Sequence, residues 1–286
     1  MLSWQVGAVK ITRVVEMEMP IAYAPDTTFL KEATPAELRK LPWLYPHFVN
    51  AQDELLLSVH ALLVEAPGLR LVVDTCIGND KPRGGMTGPN GLSTGFLNAF
   101  AETGWTRESV DAVVCTHLHV DHVGWNTMLV DGKWVPTFPN ARYLFGKTEF
   151  EHWSAEGDDE TQVILSDSVQ PILDASLAEF VGLDYVISPN VRLTPSVGHT
   201  PGHVCVAIES DGESAVITGD MTHHPCQFAH PTWSPSFDSD KQAAAATRAR
   251  LFAEWADQPV LVIGTHYAGP TAGYVKRDGE GFRFEA

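Results

Sequence analysis

Short apolar runs bounded by turn residues recur along most of this 286-residue chain. They are clearest in the first third, as "QVGAVKITRVV", "LLLSVHALLVEAPG" and "LRLVVDTCIG". Runs of this kind read as strands, and the Pro-Gly between the second and third predicts adjacent strands joined by a turn. Between the first and second, Thr34, Pro35 and Glu37 predict a helix start, with Thr as N-cap, Pro at the first helical position and Glu in the first turn. Helices are expected around Gly95 to Glu102 and after Thr106. "DAVVCTH" reads as a buried strand that breaks into a loop at its histidines. "ARYLFG" reads as another strand, followed by helical "KTEFEHWSAE" and "DSVQPILDASLAEF". Strands return in "VRLTPSVGHTPGHVCVAIES" and "SAVITGD". A helix over roughly Asp240 to Ala256, capped by Ser239 or Asp238, then leads to "PVLVIGTHY". Two sheets with helices on their outer faces suit this order better than one wound parallel sheet. No repeat, low-complexity tract or long polar linker marks a boundary, so one domain over residues 1–286 is expected.

Composition narrows the function classes. Hydrophobic residues make up 44% and charged residues 19%, which allows a substantial core. The formal net charge of −17, with only 19 Lys and Arg and no run of them, argues against nucleic acid as a partner. The N-terminus lacks the pattern of a secretory signal, and no apolar stretch approaches the roughly 18 residues of a membrane span. Cys76, Cys115, Cys205 and Cys226 stand far apart, as expected of reduced thiols. A cytoplasmic location is the resulting expectation.

Chemistry concentrates where strand-like runs end. "VVCTHLHVDHVGWNT" packs His117, His119, Asp121 and His122 into six residues. His199 follows "RLTPSVG", Asp220 ends "AVITGD" and His266 ends "VLVIGTH". A lone histidine after a strand is usually structural, but four strand ends carrying His or Asp imply rigid elements delivering metal ligands to one edge. On an extended segment His117, His119 and Asp121 would share a face and His122 would point elsewhere unless the chain bends. That spacing favours two neighbouring ions over one. An i, i+4 helical pair of the HExxH kind does not fit, because no Glu follows the first His.

THLHVDH, GHTPGH, TGD and GTH together resemble the metallo-β-lactamase superfamily, over about Ala61 to Tyr267. The resemblance implies a four-layer αββα sandwich, of the α/β (α+β) class, with a binuclear site on one edge. It assigns His117, His119 and His199 to the first ion and Asp121, His122 and His266 to the second, with Asp220 bridging. It also makes Asp74, at the end of "LVVDT", a supporting residue. His203 reads as structural. A nitrogen and oxygen donor set without sulfur suits zinc best, with iron, manganese or cobalt as alternatives. Zinc has no redox chemistry, so hydrolysis by a metal-bridging hydroxide is the expected reaction, with Asp121 orienting the nucleophile and accepting its proton. No GxSxG nucleophile is present.

Departures within the superfamily narrow the substrate. Antibiotic-hydrolysing members with two zincs commonly carry Cys where this chain has Asp220. Acyl-homoserine lactonases resemble the ligand set but carry Tyr three residues beyond the bridging aspartate, where this chain has His223. From that aspartate onward the chain resembles the organophosphate-hydrolysing and related lactonase branch. The expected substrate is a small-molecule lactone, carboxylic ester or phosphotriester. His223 is a candidate proton donor to the leaving group or hydrogen-bond partner of the substrate. Trp125, Phe228, Trp233 and Phe237 could wall an apolar pocket or form a homodimer contact. Residues 20–50, with Trp43, Tyr45 and Phe48, could form a lid, a dimer contact or ordinary packing. The rival activity is an iron-dependent oxidoreductase of the sulfur dioxygenase type on the same fold. The complete two-ion set argues against it, and against a non-catalytic binding relative.

Overall fold

Alternation of side chains along strands sorts the core into layers in the computed structural model, which describes residues 1–26, 29–84 and 90–286. The first half forms β1 (Ser3–Val6), β2 (Val9–Ile21), β3 (Leu55–Ala66), β4 (Leu69–Val73), β5 (Ala112–Val114), a separate hairpin of β6 (Thr127–Val130) and β7 (Lys133–Pro136), then β8 (Arg142–Gly146) and β9 (Ala178–Val181). The second half adds β10 (Val186–Ser188), β11 (Val191–Pro195), β12 (Val204–Ser210), β13 (Glu213–Ile217), β14 (Val260–Ile263), β15 (Ala272–Asp278) and β16 (Gly281–Glu285). The helices are α1 (Pro35–Leu38), α2 (Phe96–Glu102), α3 (Val120–Val123), α4 (Lys147–Glu156), α5 (Asp159–Ser168), α6 (Gln170–Asp174), α7 (Cys226–Ala229) and α8 (Lys241–Trp255). One sheet runs β1-β2-β3-β4-β5-β8-β9 and the other β10-β11-β12-β13-β14-β15-β16.

Period-2 patterning makes this a sandwich. From β3, Leu62 and Val64 turn inward and meet Val206, Ile208, Ala215 and Ile217 of the second sheet. Their neighbours Ala61 and Leu63 turn outward and pack under Phe96 and Phe100 of α2 and Ile164 and Leu165 of α5. In the second sheet Val216 and Val262 likewise face outward, against Leu251 and Phe252 of α8. Helix, sheet, sheet, helix is therefore the layer order, as expected. Among the described residues, parallel pairing is confined to β4 with β5, β5 with β8, β8 with β9, and β13 with β14.

Several expectations hold and several need correction. The Pro-Gly turn does join antiparallel β3 and β4. Thr34 does cap α1, its hydroxyl accepting from the Glu37 N–H at 3.3 Å. "QVGAVKITRVV" is not one strand but a hairpin turning at Gly7, whose positive φ of 55° suits the tight connection. The end of "DSVQPILDASLAEF" is strand β9, because it pairs with β8 rather than continuing the helix. The cap of α8 is Asp240, which accepts from the Ala243 N–H at 2.9 Å, not Ser239 or Asp238. Within residues 20–50, Thr27 and Thr28 lie outside the described residues. Phe48 is buried, and Trp43 and Tyr45 pack beside it, in the core beneath α8, the ordinary-packing alternative for those aromatics. No helix among the described residues is long and apolar enough to cross a membrane. All four cysteines are free and buried.

Candidate metal centre

Each of the four strand ends arrives at the same edge of the sandwich. After β5, Asp74 secures the turn: its carboxylate accepts from the Thr116 N–H at 2.7 Å and from the Thr116 hydroxyl at 2.9 Å. His117 and His119 follow in a bending loop, as expected of a strand that breaks at its histidines. At Val120 the chain enters the single turn α3, the bend without which His122 would point elsewhere. The bend brings His122 back toward Asp74, with Nδ1 2.9 Å from its Oδ2. His199 sits in the loop between β11 and β12. Asp220 follows β13 after Gly219, whose φ is 53°. A Cβ at Gly219 would lie 2.6 Å from His203 Nε2, so glycine is required there. His266 follows β14, and its loop is tied to β3 by the Ser58 N–H donating to the His266 carbonyl at 3.0 Å.

The seven side chains converge. His199 Nε2 lies 3.2 Å from His117 Nε2 and 3.0 Å from His119 Nδ1. Zinc–nitrogen bonds of about 2.0–2.1 Å at tetrahedral angles separate ligand atoms by roughly 3.3 Å, so this triad is spaced to hold a cation. His122 Nε2 and His266 Nε2 lie 3.6 and 3.4 Å from the oxygens of Asp121. Asp220 stands between the groups: its oxygens are 3.8 Å from His117, 3.6 Å from His199, 3.3 Å from His122 and 3.1 Å from His266. The ligand atoms of His117, His119 and His199, those of His117, His122 and Asp220, and those of Asp121, His122 and His266 each lie within 4.8 Å of one another. Buried His122 Nε2 and Asp220 Oδ1 have no hydrogen-bond partner among the described residues. Buried polar atoms ordinarily find partners, so these donors fit a divalent ion.

The far nitrogens are fixed, as metal-binding imidazoles require. His117 Nδ1 is 3.1 Å from the Thr116 hydroxyl, His199 Nδ1 2.8 Å from Asp238 and His266 Nδ1 3.0 Å from the Ser58 carbonyl. His203 is structural: Nε2 accepts from the Asp220 N–H at 2.8 Å and Nδ1 lies 2.7 Å from the Ser196 hydroxyl. Sequence reasoning took Asp238 for a helix cap and passed over its buried companion Arg248, whose Nη1 lies 3.5 Å from it. The readable signal was an arginine on the apolar face of an alanine-rich helix.

Electrostatics divide the histidines. Burial holds His117 and His199 well below the ordinary imidazole range and takes His119 down to about 4. Burial acts the same way on His266, but Asp220 and Asp121 outweigh it and raise that imidazole to about 9. His122 is raised for the same reason, by Asp220, Asp74 and Asp121. Burial works against the Asp220 anion, yet His122, His266 and His223 keep its carboxyl well below the usual range.

A cleft of about 730 Å³ opens over the cluster. His119, Asp121, Asp220, His223 and His266 reach it, and its walls include Met19, Ile21, Phe29, Leu57, Trp153, Ile164 and Phe237. His223 is buried, neither ring nitrogen has a hydrogen-bond partner among the described residues, and Nε2 lies 3.3 Å from Asp220 Oδ2. Its ring is set by the edge-on Phe29 and Phe237 and by its backbone N–H, which donates to Gln227 at 2.7 Å. Of the four aromatics expected to wall a pocket, only Phe237 lines this cleft. Trp125 stacks on Phe96 with its indole N–H on Glu16 at 2.7 Å, because its apolar neighbours lie in the core beneath the first sheet. Phe228 packs on Phe252 and Trp233 stacks on His230. Phe29, unremarked in the sequence, does line the cleft, so part of residues 20–50 borders it.

Two sheets in a four-layer sandwich, with histidines and aspartates gathered on one edge, define the class. Residues 55–280 match the model of the metallo-beta-lactamase superfamily, and the chain belongs to that superfamily. It is 25% identical over 170 residues to an N-acyl homoserine lactonase of Bacillus sp. and 24% identical over 170 residues to one of Bacillus thuringiensis. Each match covers 59% of this chain, which spans 61% of the length of those relatives. Among solved structures, the fold is similar to that of AidC, a dizinc quorum-quenching lactonase in complex with a product, with a TM-score of 0.79 at 22% identity over 99% of this chain and 96% of that one. It is similar too to the hydrolase AbOPH in the beta lactamase superfamily, with a TM-score of 0.80 at 24% identity over the same shares.

Proposed function

We propose that this chain is a dinuclear metal-dependent hydrolase that cleaves a lactone, carboxylic ester or phosphotriester with an apolar substituent. The observation that carries this reading is the convergence of seven His and Asp side chains, Asp220 among them, at the foot of an apolar-walled cleft. The lactonase names of its relatives support it, as does the dizinc site named for a structural neighbour. In this reading His117, His119 and His199 hold the first ion, Asp121, His122 and His266 the second, and Asp220 both. Zinc suits the set best. Two such ions would lower the pKa of a water toward ~7 and polarise the oxygen of the scissile group.

The chain's own residues do the rest. Asp121 keeps 26% of its side chain exposed in the cleft, so it can orient the attacking water and accept its proton. His223, held rigid with both ring nitrogens unpartnered, is placed to hydrogen-bond the substrate or donate a proton to the leaving oxygen. Among the described residues, the charged ones lining the cleft besides histidine are Asp121, Asp158, Glu160 and Asp220, with no Lys or Arg. That favours uncharged substrates over anionic ones.

A zinc-loaded screen against neutral lactones, aryl esters and phosphotriesters tests the reading. Asp220→Ala and His117→Ala should abolish every activity found in the wild type. Full activity in either variant would refute the assignment, as would one iron per chain with thiol-dependent oxygen consumption.

A further inference from the structure

Helix α4 buries a carboxylate that the proposed chemistry does not use. Glu149 is 1% exposed. Its Oε1 accepts from the Leu118 N–H at 3.2 Å and from the Trp153 indole N–H at 2.6 Å, and its Oε2 accepts from the Gly202 N–H at 2.9 Å. Leu118 lies between His117 and His119, and Gly202 lies three residues past His199. One side chain therefore spans two loops far apart in sequence. Those two loops carry all three histidines of the first triad and none of Asp121, His122 and His266 except through α3.

We propose that Glu149 is a positioning residue for the first ion: its carboxylate ties the His117–His119 loop to the His199 loop and sets the separation of the three imidazoles. The proposal rests on the two-ion reading above. A buried carboxylate bonded only to neutral N–H groups is costly to keep, so its retention calls for a geometric role. Its three partners are all obligate donors, which an anion satisfies and an amide cannot. The fit also has no slack. A Cβ on Gly202 would lie 2.5 Å from Glu149 N and 2.6 Å from its Cβ, so the second loop rests directly on the helix. The 3.0 and 3.2 Å approaches of His199 to His119 and His117 are made across the gap that Glu149 bridges. A small shift of either loop opens that gap. In the second triad the Ser58 carbonyl anchors His266 separately, and Asp74 anchors His122 while also holding Thr116 beside His117.

Equilibrium zinc competition with a chelator on the apo protein tests this. Wild type taking up other than two ions would fail the two-ion reading itself, apart from Glu149. With two ions bound, Glu149→Gln should weaken one by about 10–100-fold and leave the other within about threefold. In a His266→Ala background Glu149→Gln should still weaken the remaining ion; in a His199→Ala background it should have no effect. Cobalt(II) absorption should lose intensity from the three-histidine site alone. Glu151→Gln, at an exposed carboxylate on the same helix, touches neither loop and should leave both affinities unchanged. The proposal is overturned if Glu149→Gln binds both ions as wild type does, weakens both equally, or is matched by Glu151→Gln. If Glu149→Gln shows no cooperative melt, Gly202→Ala carries the test. It displaces the same loop with the carboxylate intact, and should give the same one-site loss.

Discussion

The first sheet sends four candidate ligands from one strand end, His117 through His122, while the second sends His199, Asp220 and His266 from three separate ends. The two ions proposed above do not divide along that line. His199 of the second sheet joins the first triad, and His266 joins the second. The halves differ instead in charge. His117, His119 and His199 are held neutral by burial, whereas His122 and His266 are drawn toward protonation by Asp220 and Asp121. The contrast teaches that equal ligand types need not give equal sites. Placement of three carboxylates relative to five imidazoles makes one half an uncharged pocket and the other a proton-holding one.

Removing the group shared by both halves should have the largest effect. Asp220→Ala is expected to lower metal content from two ions to none and hydrolysis by at least about 10³-fold, read by elemental analysis and initial rates. Splitting the halves comes next. Asp238→Asn removes the anchor of His199 and should weaken the first ion by about 10–100-fold. Asp74→Asn removes that of His122 and should weaken the second ion most, with a smaller effect on the first through Thr116 beside His117. In chelator competition the larger loss should fall on different ions in the two variants. If it fell on the same ion, the division into two triads would be wrong.

Proton release sharpens the charge difference. An imidazole raised to about 9 is protonated at pH 7, so an ion arriving there must displace its proton. Second-ion affinity should therefore rise with pH between 7 and about 9. The first triad, with His119 lowered to about 4, is already neutral at pH 7 and should be insensitive over that range. Calorimetry of apo protein at pH 7 in buffers of different ionisation enthalpy should show about one proton fewer released by His266→Ala and no change in His199→Ala. The smallest effect lies in the cleft wall. Phe237→Ala should raise KM for a long-chain ester several-fold, by roughly 1 kcal/mol for a ring that is only half buried, with metal content unchanged.

Much of this was legible without coordinates because its signals are local or periodic. The β3–β4 hairpin, the Thr34 cap, the strand end at each chemical cluster and the layer order follow from short apolar runs and turn residues. The HxHxDH spacing with GHTPGH, TGD and GTH named the residues that the fold brings together. Errors came where tertiary contacts override local pattern. Whether the chain bends after His119 stayed open in the motif, because it is Asp74, far upstream, that draws His122 back into a turn. Asp238 read as a cap because nothing nearby in the chain shows that it faces His199. Trp125, Phe228 and Trp233 read as pocket walls because composition marks aromatics without saying which layer they enter.

The sequence by itself determined the inventory: which side chains can bind a cation, which runs become strands, and that the pattern closes into two facing sheets. Only the tertiary structure decided how those parts are held. Glu149 bridging two loops, Asp238 behind His199, and Phe29 with Phe237 around His223 are contacts between segments far apart in the chain. Backbone propensity and side-chain period act over a few residues, whereas these contacts depend on how complete sheets and helices pack. The family is therefore readable from motifs, and the tuning of its metal centre from the fold.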